Sequence, residues 1–145
     1  MKRLLALAML AGLLTGCISS DQQVYGQIDG TEKTITVPPG NAMLVGELKG
    51  RLHAAGWKLV VDHGPDKISG TIGETTELSS YNTYNTRYRL MIAQTFADYC
   101  MLGGKVIVYN LSLIDNKTGE EVMAQSGRDC TGPAADKFMS SLGAK

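Results

Sequence analysis

The spacing of apolar residues changes along this chain, and the changes separate predicted strands from predicted helices. Residues 33–37 alternate polar and apolar side chains, the period of a half-buried strand, and two prolines and a glycine end the run. Leucines then recur every fourth position, which predicts one long helix over about 41–55 with Asn41 as its cap. Residues 57–62 return to a short apolar run typical of a strand. The first half therefore predicts the order strand, helix, strand.

The second half is richer in strand signals. Residues 68–72 again alternate apolar and polar positions. Two β-rich runs, 106–113 and 120–124, flank the turn sequence Asp-Asn-Lys-Thr-Gly, which predicts a hairpin. Pro133 precedes a short amphipathic run that predicts a C-terminal helix over 134–142. The fold class predicted is α+β: an antiparallel sheet of about five to six strands, with the long helix and the short C-terminal helix packed on one face.

Residues 87–100 fit two structures. Tyr88 and Leu90 alternate with Arg87 and Arg89, which favours a strand that runs towards Phe96. The apolar residues between positions 90 and 100, followed by two glycines, would also suit a helix with a glycine cap. We favour the strand because the next segment is strongly β, and the helix remains the alternative.

The first residues differ in composition from the rest. Lys2 and Arg3 precede an apolar run over 4–14, and the small residues Thr15 and Gly16 lead to Cys17. The run is too short for a transmembrane helix, which needs about 20 apolar residues. A basic start, a short apolar core and small residues at the cleavage site are the parts of a secretory signal. The stretch Leu14-Thr15-Gly16-Cys17 resembles the lipobox of bacterial lipoproteins.

This resemblance implies a membrane anchor. In that class residues 1–16 are removed as a signal peptide, and Cys17 carries a diacylglyceryl group and a palmitate-like acyl chain. Residue 18 is Ile and not Asp, which by the sorting rule of that class implies the outer membrane, with the domain facing the periplasm. Residues 17–30 are then the lipidated cysteine and a tether, and residues 31–145 form a single domain.

The charge balance limits the choice of partner. The chain has 14 basic and 14 acidic residues, and removal of Lys2 and Arg3 would leave a small negative charge. No basic stripe occurs, so nucleic acid is not an expected partner.

Cys100 and Cys130 are the remaining cysteines once Cys17 is used for lipid. In an oxidising compartment we predict that they form a disulfide; two buried thiols or a metal pair are the alternatives. A three-stranded meander over this region conflicts with the bond, because it separates the two cysteines by about 10 Å, two strand spacings. They can pair only if both lie past the strand ends and bend over Gly103-Gly104.

Candidate chemistry is sparse. His53 in the predicted helix and His63 in a turn belong to no recognisable catalytic order, so we predict no catalytic residue, no metal site and no cofactor. The residue types favoured at binding surfaces instead concentrate in the predicted loop 79–86 and the start of the next strand. The candidate partner-binding residues are Tyr81, Tyr84, Arg87, Tyr88 and Arg89. The competing interpretation is an ordinary polar loop whose tyrosines lie on the sheet.

A second resemblance concerns the domain itself. The strand Ile68-Ser69-Gly70-Thr71-Ile72, the motif Tyr88-x-Leu90-x-Ile92 and the turn-containing run 111–120 resemble small α+β domains of periplasmic assembly lipoproteins. That group includes the curli secretion lipoprotein, the penicillin-binding-protein activators and the amino-terminal domain of TolB.

The implied anchor, together with a compact fold and no catalytic constellation, favours a non-enzymatic accessory or assembly protein. Its partner would be another envelope component, bound through a sheet edge or the Tyr81–Arg89 loop. A ligand-binding or hydrolase-inhibitor module of the envelope is the second hypothesis. A hydrolase that uses His63 or His53 is the third.

Overall fold

A single six-stranded sheet organises the part of the chain that the computed structural model describes, residues 19–62, 85–101 and 103–143. The predicted strand 68–72, the signal region and most of the predicted loop 79–86 lie outside these residues. The elements in chain order are β1 (Ser19–Val24), β2 (Thr34–Val37), α1 (Met43–Ala54), β3 (Lys58–Val61), β4 (Tyr88–Tyr99), β5 (Lys105–Asp115), β6 (Glu121–Cys130) and α2 (Thr131–Ser141).

The strand order is β1-β6-β5-β4-β2-β3. Strands β4, β5 and β6 form an antiparallel meander, whereas β2 pairs in parallel with both β3 and β4. The parallel pair follows from the order strand, helix, strand, because a helix between two strands returns the chain to its starting side. The predicted α+β class is confirmed, and the sheet is mostly antiparallel.

Both helices pack on the same face of the sheet. The apolar stripe of α1, which includes Leu44, Leu48 and Leu52, is fully buried in one core with Phe138 of α2. Alternate residues of β5 supply the floor of this core, namely Ile107, Tyr109, Leu111 and Leu113. Strand periodicity explains the pattern, since every second side chain points to the same face.

The long helix begins differently from the prediction. Its N-cap is Ala42 and has no side-chain capping bond, so the prediction of Asn41 as the cap is wrong. Gln94 on β4 takes that role: its Oε1 accepts a hydrogen bond from the Leu44 amide at 2.9 Å, and its Nε2 donates to the Ala42 carbonyl at 3.0 Å. A residue about fifty positions away therefore satisfies one of the N–H groups that the first turn leaves without a partner within the helix.

Residues 88–99 form a strand, and the helical alternative is wrong. Strand β4 pairs with β5 from Tyr88↔Asp115 to Phe96↔Ile107, and then continues through a bulge at residue 97. Tyr88 and Leu90, whose side chains face the core, are buried, whereas Met91, whose side chain faces the opposite side of the sheet, is exposed. This alternation is the strand period that the arginines indicated.

The disulfide and the meander coexist. Cys100 and Cys130 are bonded, with their Cα atoms 6.2 Å apart. Cys100 lies past the end of β4, where its amide donates to the Gly104 carbonyl, and Cys130 is the last residue of β6. Gly103 and Gly104 both adopt positive φ angles (92° and 94°), which lets the chain turn tightly under the bond. The predicted pairing is thus confirmed, but the expectation that both cysteines lie past the strand ends is wrong, because Cys130 is still paired with Val106 of β5.

Part of the segment expected to be a tether is a strand. Residues Ser19–Val24 form β1, which pairs antiparallel with β6 from Ser19↔Arg128 to Val24↔Met123. Polar contacts also stabilise β1. The Lys137 ammonium of α2 donates a hydrogen bond to the Ser20 carbonyl at 2.7 Å, and the side-chain amide of Gln22 donates to Oε1 of Gln125 at 3.0 Å. Sequence patterning missed β1 because these contacts are polar and come from distant residues.

Gly127 makes the close approach of β1 possible. A Cβ at this position would lie 2.3 Å from the Ser19 carbonyl oxygen and 2.6 Å from the Ser20 Cα, and its φ is 152°. Both the backbone conformation and the space therefore require glycine.

We predict that Gly127→Ala loosens β1 selectively. Because the added methyl group collides with the β1 backbone, amide hydrogen exchange over Ser19–Val24 should become much faster while the core of β5 stays protected. Gly50→Ala is the matched control: it lies in α1 with no atom within 4 Å of the new Cβ, and it should stabilise the fold by up to about 1 kcal/mol. Unchanged exchange over Ser19–Val24 in Gly127→Ala would contradict this account of β1.

Candidate functional site

The structure places three of the five predicted binding residues. Tyr81 and Tyr84 lie outside the described residues, while Arg87 directly precedes β4 and Tyr88 and Arg89 are its first two residues. Each of the three has an intramolecular partner. Their surroundings show how much surface each one offers.

Tyr88 belongs to the core and has no exposed surface. Its ring lies against Trp57 with the centroids 5.9 Å apart, and its hydroxyl accepts a hydrogen bond from the Asp29 amide at 2.6 Å. The buried hydroxyl thus has the partner that burial demands. Tyr88 fixes the segment between β1 and β2 against β4, and it has no area to offer to a partner.

Arg87 forms a largely buried ion pair. Its Nη2 lies 2.5 Å from Oδ2 of Asp115, and the two side chains are 15% and 5% exposed. Burial alone would lower the pKa of Arg87, but the neighbouring Tyr88 and the Asp115 carboxylate outweigh it and raise the pKa. The guanidinium also lies 5.4 Å from the centre of the Tyr88 ring. The positive charge of Arg87 is therefore stabilised by contacts within the domain.

Asp115 joins this pair to the hairpin turn. Its Oδ1 accepts a hydrogen bond from the Lys117 amide at 2.8 Å, and Asn116 donates to the Thr86 carbonyl at 2.9 Å. The turn between β5 and β6 is thus tied to the residues that precede β4. The Asp-Asn-Lys-Thr-Gly motif organises this end of the sheet as well as its own turn.

Arg89 borders an open groove. Its Nη2 lies 2.8 Å from Oδ2 of Asp62, and its side chain is 40% exposed. The groove has a volume of about 410 Å³ and is lined by Pro38, Pro39, Asp62, Arg89, Leu90, Met91 and Ile92. Because the Arg89 guanidinium is paired with the Asp62 carboxylate, the described residues that line the groove present balanced charge beside an apolar surface. Of the predicted binding residues placed here, Arg89 alone retains substantial surface.

A second exposed surface lies at the other end of β4 and was not predicted. We use the name hairpin tip for Phe96, Tyr99 and Met101, whose side chains are respectively 44% exposed, 72% exposed and fully exposed. The Phe96 and Tyr99 rings meet edge to face, with centroids 5.1 Å apart. The one sequence signal for this surface was the predicted disulfide, because the bond requires a strand to end and the chain to turn at Cys100.

Other candidate chemistry can be placed within the described ranges. His53 is exposed on α1, and His63 falls outside those ranges. Residues 19–62, 85–101 and 103–143 contain no group of three His, Cys, Asp or Glu side chains that could hold a metal ion. Neither helix of these ranges is long and apolar enough to cross a membrane.

Comparison with known proteins identifies the fold. No protein-family model matches the sequence, and none of the curated proteins matches it. Among solved structures, the chain is similar to the PelC dodecamer from Paraburkholderia phytofirmans, with 17% identity and a TM-score of 0.55; the match covers 89% of this chain and 99% of that one. A single-substitution variant of that dodecamer matches with 14% identity, a TM-score of 0.54 and the same coverage. The chain shares the PelC fold over nearly the whole of that protein.

We predict that Asp115→Asn destabilises the protein by about 3 kcal/mol, because it leaves the Arg87 guanidinium buried without its counter-charge. Chemical denaturation measures this free energy. Glu32→Gln is the matched control, since the Glu32–Lys117 pair lies beside the same turn with side chains 46% and 56% exposed. Its effect should be about 0.5 kcal/mol or less. Equal losses in the two variants would refute a structural role for the buried pair.

Proposed function

We propose that this protein is an outer-membrane lipoprotein with a periplasmic domain, which acts as a non-enzymatic accessory or assembly protein of the cell envelope. The observation that carries the proposal is the combination of the lipobox at Leu14–Cys17 with a domain whose fold is shared with PelC. The partner is another envelope component, and the domain works beside the membrane surface.

The Cys100–Cys130 disulfide supports this location. The bond links the end of β4 to the junction of β6 and α2, where a reduced pair would leave the turn over Gly103-Gly104 unclamped. Structural disulfides persist in oxidising compartments such as the periplasm. A fold that uses one is suited to that side of the membrane.

The fold likeness extends the proposal to self-assembly. PelC was solved as a dodecamer, and we propose that copies of this chain also associate into a closed oligomer. An interface between two different surface patches of one chain produces such rings when the rotation closes. The oligomer would present many copies of one binding surface to an envelope partner.

The anchor is tested by substitution at two adjacent residues. In a Gram-negative host fed an alkyne-labelled fatty acid, the wild-type chain should take up label and fractionate with the outer membrane. Cys17→Ala should lose the label because it lacks the thiol, whereas Ile18→Asp should keep the label and move to the inner membrane. The double variant Cys100→Ala/Cys130→Ala is the control that should remain labelled. An unlabelled wild-type chain would refute the lipoprotein assignment.

The accessory role is tested by crosslinking in the same cells. A photo-reactive residue in place of Arg89, beside the groove, should capture an envelope protein or a second copy of the chain. The same probe at His53, which is exposed on the helical side of the fold, should give a different or weaker product. Native mass spectrometry of the detergent-extracted chain measures the number of copies. A monomer with no crosslinked envelope component would overturn the proposal.

A further inference from the structure

Strand β4 is much longer than its neighbour on one side. Its partner β5 follows it from Tyr88 to Tyr99, whereas β2 pairs with it only at Tyr88 and Arg89. In the part of the chain that the structure describes, no other strand lies beside β4 on the β2 side. We use the name open edge for the backbone of Met91–Phe96 on that side. Such an edge presents hydrogen-bonding groups to a strand that approaches it.

Two prolines explain why β2 stops short. In the register of the β2–β4 pair Thr36 lies opposite Arg89, so Pro38 follows at the level of Met91. Proline has no backbone N–H and cannot continue the ladder of hydrogen bonds. The chain then leads to α1, which begins at Met43. Strand β2 therefore does not cover the open edge.

The open edge offers backbone groups at every second residue. The Arg87 carbonyl accepts a hydrogen bond from the Asn116 amide on the β5 side, and consecutive strand residues direct their N–H and C=O groups to alternate sides. Ile92 and Gln94 thus direct these groups to the open edge, about 6.8 Å apart. An extended polypeptide carries donors and acceptors at the same repeat, which lipid and glycan chains do not.

An apolar groove lies at the beginning of the open edge. Pro38 and Pro39 line it together with Leu90, Met91 and Ile92, and its volume is about 410 Å³. The Met91 side chain is 48% exposed. A strand laid along β4 would place alternate side chains against this lining.

Arg89 gives the groove a hydrogen-bond donor. Its pair with Asp62 engages Nη2, and its Nε has no acceptor among the described residues. A guanidinium carries more donors than one carboxylate oxygen can engage, and the Arg89 side chain is 40% exposed. The groove therefore suits a segment that brings a carbonyl or carboxylate oxygen to Arg89 and apolar side chains to the prolines.

We propose that the open edge of β4 is a strand-addition site for an extended apolar segment of an envelope protein other than this chain. The partner's backbone extends the sheet beside Ile92 and Gln94, and its side chains enter the groove. This mode of recognition takes affinity from main-chain hydrogen bonds and specificity from pockets for alternate side chains. The inference rests on the accessory role proposed above and names the chemistry of the partner.

A second copy of this chain fits the site less well. The edge strands in its described part are β1 and β3. All residues of β1 except Val24 are polar, so this strand has few side chains for an apolar groove. Strand β3 begins with Lys58 and is shorter than the open edge. The occupant is therefore a different polypeptide.

Photo-crosslinking along two neighbouring strands tests the proposal with the full chain in a Gram-negative host. A benzophenone residue is introduced singly on the face of β4 opposite the helices, at Met91, Ala93 or Thr95. The matched controls carry the same residue on the same face of β5, opposite those three positions, at Ser112, Asn110 or Val108. Mass spectrometry then locates the crosslinked residue in the captured protein.

We expect the three β4 probes to capture one envelope protein, with the crosslinked residue in that protein advancing by two for each step of two along β4. The β5 probes should give much less product. Equal capture from both strands would overturn the proposal, because the partner would then cover the sheet face. Products that contain only a second copy, or only this chain joined to itself, would also overturn it.

The Arg89 probe described above separates the two levels of inference. If it captures an envelope component while the β4 series shows no regular advance, the accessory role stands and strand addition is refuted. If no probe at any position captures an envelope component, both are refuted.

A proline substitution tests the backbone contact directly. Ile92→Pro removes an N–H group of the open edge, which the β4–β5 ladder does not use. Ile92→Ala is the matched control, since it shortens the same side chain and keeps the N–H. With the Arg89 probe, Ile92→Pro should give about tenfold less crosslinked product than Ile92→Ala. Equal product from two folded variants would overturn the proposal, and if circular dichroism shows that Ile92→Pro is unfolded, the advance of the β4 crosslinks decides.

Discussion

Strand β5 is hydrogen-bonded to a neighbouring strand on each side, and a disulfide at its end joins those two neighbours. Its partners β4 and β6 pair with it over most of its length, and Cys100 and Cys130 join their ends with a Cα separation of 6.2 Å. This bond links the two neighbours of the central strand, which are otherwise two strand spacings apart. It also fixes the first turn of α2, which starts at Thr131 directly after Cys130. The position of the C-terminal helix and the shape of the hairpin tip both depend on it.

The two ends of the sheet have different characters. At one end, the Arg87–Asp115 pair and the β5–β6 turn use polar and charged groups to tie loops together. At the other end, the disulfide replaces such a network, and apolar side chains stay uncovered at the hairpin tip. Paired buried charges produce rigidity without offering surface to a partner. Arg87 is structural because of its ion pair and Tyr88 because of core packing, whereas the predicted Arg89 and the unpredicted hairpin tip retain exposed surface.

Strand β1 connects the domain to its proposed anchor. A flexible tether over 17–30 would let the domain sample many orientations, whereas a strand paired from Ser19 leaves one residue, Ile18, between the sheet and the proposed lipid site at Cys17. Gly127 makes this pairing possible, because any Cβ there would enter the backbone of β1. The pairing of β1 with the sheet thus depends on one glycine that is about a hundred positions away in sequence.

Local patterns in the sequence determined the elements. The leucine spacing over 41–55 produced α1, and the turn motif after residue 114 produced the β5–β6 hairpin, since both signals are contained within a few neighbouring residues. The cysteine count, joined with the lipobox, selected the Cys100–Cys130 pair. The tertiary structure alone decided the rest: Gln94 rather than Asn41 satisfies the start of α1, β1 pairs with β6, and the bulge turns Tyr99 towards Phe96. These features depend on contacts between residues that are far apart in the sequence. Such contacts form only after the chain has folded, so the local spacing of apolar residues does not predict them.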